Sequence, residues 1–190
     1  IPFGDYTNRG NPFRVMASED NTTVSINGTV VATLNAGEVY GGVQPTPFTS
    51  APVLLNAVSS ITADKPISVA HYLQTSACSG SNNGDPDMVI LNPIEQNIKD
   101  ITVFTSTQQN INRQWINVLI PTVSAGSFKI DGVAPTTAFV PAPNIPGYSY
   151  LRHMFTTAFS GSRYLTADTG FNAVIYGYQG GNFESYAYSA

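Results

Sequence analysis

Charged side chains are scarce in this 190-residue chain, and their scarcity argues against several classes of partner. Asp, Glu, Lys and Arg account for 11% of the residues, and eight basic side chains against twelve acidic ones give a net charge of −4. The basic residues are scattered, so there is no basic stripe to neutralise phosphates, which argues against a nucleic-acid partner. Apolar runs are short, and none approaches the ~20 residues of a membrane span.

Cysteine and histidine are also rare, which leaves little for catalysis. The single cysteine, Cys78, excludes an internal disulfide framework. It is either a small residue of a Ser/Gly/Asn-rich loop or the partner of a thiol outside this segment. The two histidines, His71 and His153, lie in strand-like runs, where we expect packing positions. Without a nucleophile elbow, a zinc-ligand spacing or a phosphate loop, the sequence predicts no catalytic residue and a protein that is not an enzyme.

Residues that favour β-structure are abundant. Ten Tyr and ten Phe accompany many Val, Ile and Thr, the side chains that suit a pleated, half-buried surface. Sixteen Gly and thirteen Pro mark frequent turns. This profile is typical of exported β modules and unlike that of cytosolic α/β enzymes.

Two blocks of the sequence recur at one constant offset. NTTVSING at 21–28 is similar to AGSFKIDG at 125–132, which lies 104 positions later. ITADKPISVAHY at 61–72 is similar to LTADTGFNAVIY at 165–176, at the same offset. The spacing between the blocks is therefore kept as well, which indicates two diverged copies of one unit.

The recurrence predicts the domain organisation. We interpret residues 1–190 as a single β module with two internal repeats, about 12–75 and 115–180, joined by a loop and strand insert at 76–114. The predicted fold is all-β, with one or more antiparallel β-sandwiches made from two pseudo-symmetric repeats packed together. Within the insert, MVIL at 88–91 is expected to be a short buried strand.

Local signals within each repeat indicate hairpins. Asn27-Gly28 and Asp131-Gly132 follow alternating strands and accept the positive φ values of a type I′ turn. Asp64 and Asp168 are each predicted to stand where a strand ends and a turn begins. A carboxylate at such a position accepts backbone N–H groups.

Four segments carry a resemblance to a known family: 19–28, 61–72, GDPDMVILNPIEQ at 84–96, and the ending 165–178. They resemble the IgGFc-binding protein N-terminal domain family. The resemblance implies an extracellular module of the adhesion type, found in mucus-associated animal proteins and large bacterial surface proteins, and it implies no catalytic residues. The low cysteine content fits a bacterial source. No Fc-contact motif maps onto this sequence, so antibody binding does not follow from the resemblance.

Two sets of residues are candidates for a site. The aromatic residues Tyr40, Trp115, Tyr148 and Tyr150, with Tyr186 and Tyr188, form either a sugar-stacking platform or ordinary sandwich packing. Asp85 and Asp87, with Asn82 and Asn83, offer oxygen ligands to a calcium ion or simply build the turn into the next strand. Calcium is the one cofactor that these residues suggest. Residues 74–100 and 142–158 have no close counterpart in the other repeat, so a specific site is expected there.

Two functional hypotheses follow. The first is a non-enzymatic, extracellular or cell-surface adhesion module that binds a glycan or a protein as part of a larger protein, and the start at Ile1-Pro2 without Met fits a processed or excised segment. The second is a building block of a surface stalk or filament, which contacts neighbouring copies through strand edges and aromatic patches. Fold analogy alone does not identify a ligand.

Overall fold

The computed structural model describes residues 1–4, 10–41, 54–75, 84–179 and 184–190. Their strands are β1 (Asn11–Ala17), β2 (Thr22–Ile26), β3 (Thr29–Leu34), β4 (Val39–Tyr40), β5 (Leu54–Leu55), β6 (Ile61–Ala63), β7 (Ile67–Leu73), β8 (Asp87–Ile90), β9 (Ile98–Thr105), β10 (Arg113–Pro121), β11 (Lys129–Ile130), β12 (Val140–Pro141), β13 (Tyr148–Met154), β14 (Gly161–Tyr178) and β15 (Ser185–Ser189). Two short 3₁₀ segments lie at Gln108–Asn110 and Thr122–Ser127. We call β1–β8 the first half and β9–β15 the second half.

The strands form three antiparallel sheets. The first-half sheet has the order β4-β1-β7-β8, and β5 also pairs with β1. The second-half sheet has the order β11-β14-β10-β13-β12, and both β9 and β15 also pair with β14. A small sheet of β3-β2-β6 completes the first half. The prediction of an all-β, antiparallel fold is confirmed.

The hairpins of the two halves make equivalent hydrogen bonds. Asn27 Oδ1 accepts the N–H of Ser60 at 3.0 Å, and Asp131 Oδ1 accepts the N–H of Tyr164 at 2.8 Å, 104 positions later. Both turn residues have positive φ, 51° for Asn27 and 52° for Asp131, as a type I′ turn requires. These contacts support the interpretation of two related repeats, which stays a prediction.

The strand registers also agree between the halves. In β2 and β6 Ile26 lies opposite Ile61, and in β11 and β14 Ile130 lies opposite Leu165, again 104 positions later. The strand order β4-β1-β7-β8 is matched by β13-β10-β14-β15, and each of these pairs is antiparallel. The insert takes part in both sheets, because β8 pairs with β7 and β9 pairs with β14.

Asp64 and Asp168 differ in their surroundings. Asp64 lies in the turn between β6 and β7, and its Oδ1 accepts the N–H of Thr23 at 2.7 Å. The prediction that Asp168 ends a strand is wrong, because Asp168 lies inside the continuous strand β14. The strand continues beyond Asp168 because its register with β9 shifts between Thr166 and Phe171, and this irregularity accommodates the turn-like sequence.

Three apolar clusters form the core of the described part of the chain. One lies within the first half around Phe13, Val15 and Val24, and one within the second half around Ile116, Leu151 and Ile175. The third joins the halves and is formed by Phe3, Leu73, Val89, Tyr176 and Tyr178. This junction cluster decides which side of the second-half sheet is covered.

Candidate functional site

On its outward side, the first-half sheet exposes apolar side chains to solvent. Alternation along β1 turns Phe13 and Val15 into the core, at 1% and 0% exposure, and turns Arg14 and Met16 outward. Neighbouring side chains on this side follow from the strand register. Met16 lies opposite Val39, Ala70 lies opposite Ile90, and Tyr72 lies opposite Met88. We call this surface the apolar face, and its residues are Arg14, Met16, Val39, Ser68, Ala70, Tyr72, Met88 and Ile90.

Four residues of the apolar face are exposed hydrophobic side chains. Val39 is 36% exposed, Met16 47%, Ile90 50% and Met88 51%. Single exposed apolar residues are ordinary on protein surfaces, whereas a contiguous group on one face marks an interaction site or an aggregation hazard. The grouping of these four on one sheet therefore makes the apolar face the candidate binding surface.

Arg14 is the one charged residue of the apolar face. Its guanidinium lies 5.5 Å from the centre of the Tyr72 ring, a distance at which a cation is attracted to the ring face. Arg14 remains exposed, so its N–H groups are accessible to a partner. Arginine and aromatic side chains amid apolar ones are the composition of protein–protein interface cores.

The corresponding side of the second-half sheet is partly covered by segment 1–4 of the same chain. Asn117 donates through Nδ2 to the first two carbonyl oxygens of this segment, at 3.3 and 3.2 Å. The N–H of Gly4 donates to the Tyr176 hydroxyl at 2.8 Å, and the Tyr178 hydroxyl donates to the Gly4 carbonyl at 2.6 Å. A short segment of the chain thus lies on this face through its backbone.

Phe3 anchors the covering segment. Its side chain is 1% exposed and packs edge-on against the Tyr176 ring, with the ring centres 4.7 Å apart. On its other side it stacks on His71 of the first half, at 4.2 Å and 10° between the planes. One aromatic side chain and five hydrogen bonds to its backbone therefore hold segment 1–4, and the fifth is donated by the Phe3 N–H to Asn11 Oδ1 at 2.8 Å.

A comparison with known families identifies the chain. A family model described as IgGFc binding protein matches residues 1–177. The chain belongs to the IgGFc binding protein family. No curated protein and no solved structure matches it.

Membership confirms the resemblance found in the sequence. An IgGFc binding protein domain is an extracellular binding module, and the family description implies a protein ligand. No helix in the described part of the chain is long and apolar enough to cross a membrane.

The aromatic candidates of this IgGFc binding protein domain do not form one platform. Trp115, Tyr148 and Tyr150 share the outward side of the second-half sheet, since Trp115 lies on β10 and the tyrosines on the neighbouring β13. Trp115 is stacked on Tyr176 at 6.2 Å, within the junction cluster. Tyr40 belongs to the first-half core, where its ring lies 6.2 Å from that of Phe13. Tyr148 and Tyr150 are the two candidates that lie side by side away from a core cluster.

The hydroxyl groups of Tyr186 and Tyr188 connect β15 to β9 and to Ser106, the residue that follows β9. The Tyr188 hydroxyl donates to the carbonyl of Phe104 at 2.6 Å and accepts its N–H at 2.7 Å, and the Tyr186 hydroxyl accepts the N–H of Ser106 at 3.3 Å. Burial raises the pKa of Tyr186 to about 12 and also raises the pKa of Tyr188. Both side chains pack against the second-half core, so they act in structure.

The acidic candidates lie between the halves. Asp87 Oδ2 accepts the N–H of Ala187 at 2.6 Å, and Oδ1 accepts the N–H of Met88 at 2.7 Å. The N–H of Asp85 donates to Ser185 Oγ at 3.0 Å. The bonds to Ala187 and Ser185 connect β8 and the residues before it to β15. Cys78, Asn82 and Asn83 lie outside the described residues, among which no group of three or more His, Cys, Asp or Glu is placed to hold a metal.

The two histidines are both buried. His71 is 6% exposed, and burial lowers its pKa from 6.5 to about 3. His153 lies on β13, with Nδ1 at 2.9 Å from Thr137 Oγ1, and burial, followed by the charge of Arg163, lowers its pKa. Each ring is therefore kept neutral by its surroundings at ordinary pH.

The apolar face was missed because the strand at 88–91 was expected to be a short buried strand. That expectation is wrong for Met88 and Ile90, which are half exposed, whereas Val89 between them is 3% exposed. The signal available in the sequence was the alternation along β1, which places Arg14 and Met16 on one side of the strand and their neighbours on the other. It shows which side chains share a face, whereas burial depends on what packs against that face.

Proposed function

We propose that the chain is an adhesion-type extracellular module that binds its protein ligand through the apolar face. The observation that carries this proposal is the grouping of Met16, Val39, Met88 and Ile90, each 36% exposed or more, around Arg14. Membership of the IgGFc binding protein family supports a protein ligand.

The exposed apolar area is enough to contribute useful affinity. Complete burial of one such side chain stabilises a complex by about 1.5–3 kcal/mol relative to full exposure. Because these four are roughly half exposed, each contributes about 1 kcal/mol, or about 4 kcal/mol together. That corresponds to roughly a thousandfold in affinity before the costs of association are subtracted.

Charge substitutions on the face provide the test. Met88→Glu and Ile90→Glu each place a carboxylate at a half-exposed position, where folding tolerates it but a complex would bury it without a partner. The matched control is Val30→Glu, because Val30 is an apolar residue of the first half that is 60% exposed and lies on the small sheet.

Binding is measured by biolayer interferometry against immunoglobulin Fc fragment, the ligand in the family description, and in parallel on a glycan array. We expect saturable binding to protein that falls at least tenfold in Met88→Glu and Ile90→Glu and is unchanged in Val30→Glu. Equal binding by all variants would remove the apolar face as the site. Binding on the glycan array alone would favour Tyr148 and Tyr150, and self-association abolished by Met88→Glu would favour the filament hypothesis.

A further inference from the structure

We call the side of the second-half sheet on which segment 1–4 lies the covered face. The apolar face and the covered face have corresponding residues at corresponding register positions. Arg14 lies opposite Ala70 in the first-half sheet, and Asn117 lies opposite Val174 in the second-half sheet. Ala70 and Val174 are 104 positions apart, the offset that relates the hairpins. Arg14 and Asn117 therefore stand at the same place in the two sheets, and both are side-chain N–H donors.

A tyrosine accompanies the donor on each face. Tyr176 stands 104 positions after Tyr72, and its hydroxyl donates to Asn117 Oδ1 at 3.1 Å. The Tyr72 ring in turn lies 5.5 Å from the guanidinium of Arg14. The pair that holds segment 1–4 on the covered face thus has a counterpart, Tyr72 with Arg14, on the apolar face.

The edge strand differs between the faces in a way that favours apolar contact. Met88 lies opposite Tyr72, whereas Ala187 lies opposite Tyr176. Ile90 and Ser189 are the next corresponding pair, opposite Ala70 and Val174. On this edge strand, the apolar face therefore has larger and more apolar side chains than the face that already holds a peptide segment.

We propose that the partner presents a short peptide segment with a large apolar side chain, and that this segment lies on the apolar face as segment 1–4 lies on the covered face. The side chain packs against Tyr72, Met88 and Ile90, and Arg14 donates to successive backbone carbonyls. Arg14 is the face's single charge, so the complementary partner group is an acceptor. This inference rests on the proposed function, and it specifies the chemistry of the ligand.

The location of the face supports this occupant. Strand β8 exposes Met88 and Ile90 on one side and buries Val89 in the junction cluster on the other, where Phe3 is held. The apolar face is thus continuous, through one strand, with the surface where the chain binds its own segment 1–4.

The three methionines of the chain allow a direct test. Met16 and Met88 lie on the apolar face, whereas Met154 lies opposite Trp115 on the second-half sheet. The probe is the tetrapeptide Ile-Pro-Phe-Gly, acetylated and amidated, titrated to about 1 mM into the full chain with ¹³C-methyl methionine. We expect saturable shifts of the Met16 and Met88 methyl signals and no shift of Met154.

Controls separate specific binding from nonspecific apolar contact. Ile-Pro-Ala-Gly, which lacks the aromatic ring, should bind at least tenfold more weakly, and this control cannot alter the folding of the protein. Arg14→Leu removes the donor while keeping apolar bulk, so it should also weaken binding of Ile-Pro-Phe-Gly by about tenfold. Arg14→Lys retains a donor and should retain most of the binding.

Three outcomes would overturn the inference: no methyl shift at the highest peptide concentration, a shift of Met154 alone, or equal binding of both peptides. These outcomes are distinguishable from failure of the proposed function. If a whole protein ligand still loses affinity in Met88→Glu while the peptide does not bind, the apolar face remains the site, and the ligand contacts it with a folded surface.

Discussion

The buried histidine at the junction between the halves predicts how stability depends on pH. Burial lowers the pKa of His71 from 6.5 to about 3, so the folded protein holds this ring neutral over the range in which the unfolded chain takes up a proton. A lowered folded pKa favours the folded state fully above the unfolded value of 6.5. That contribution is lost progressively as the pH falls from 6.5 toward 3.

The size of the effect follows from the two pKa values. One pKa unit corresponds to about 1.4 kcal/mol. Most of the change in the free energy of unfolding between pH 7 and pH 5 occurs at pH values below the pKa of His71 in the unfolded chain. His71 should therefore lower the free energy of unfolding by about 2 kcal/mol between about pH 7 and about pH 5.

The comparison variant is His71→Ile, because Ile175 stands at the corresponding position of the second half. Urea denaturation gives the free energy of unfolding of both proteins at about pH 7 and about pH 5. Subtracting the pH-dependent change of the variant from that of the wild type cancels the contribution of all other groups. The wild type should lose about 2 kcal/mol more than His71→Ile over this interval, whatever the cost of the substitution at neutral pH. Above pH 7, both proteins should change in parallel.

A pH-independent difference between the two proteins would refute the reasoning. It would mean that His71 takes up its proton in the folded protein, despite its stacking on Phe3 and its 6% exposure. An NMR titration of the imidazole signals provides a second measurement, in which the His71 ring of the folded protein should remain neutral at about pH 5.

Three further predictions concern single side chains. Asp64→Ala should cost about 1 kcal/mol in urea denaturation, because its carboxylate accepts the N–H of Thr23, and Asp64→Asn, which retains an acceptor, should cost less. Gln114→Leu should cost about 3 kcal/mol or more, because the fully buried amide makes three hydrogen bonds to backbone groups; a loss below about 1 kcal/mol would contradict this. Millimolar calcium should leave Tm unchanged, because both Asp87 oxygens already accept backbone N–H groups; a rise that Asp85→Asn abolishes would establish a calcium site.

Much of the fold could be predicted from local sequence. Alternation on a pleated strand and the positive φ of Asn27 and Asp131 are properties of neighbouring residues, so strands and hairpin turns were predictable. The strand end expected at Asp168 is absent, because β14 resumes its pairing with β9, a distant strand, at Phe171 after a register shift.

The candidate site was less predictable because burial is not a local property. The sequence by itself determined that Met88 and Ile90 share one side of a strand and that Val89 faces the other. Only the tertiary structure decided that the side with Val89 is covered, because Phe3 packs against Tyr176, which lies at the other end of the chain. The same packing covers part of one sheet face with the chain itself and leaves the corresponding face exposed.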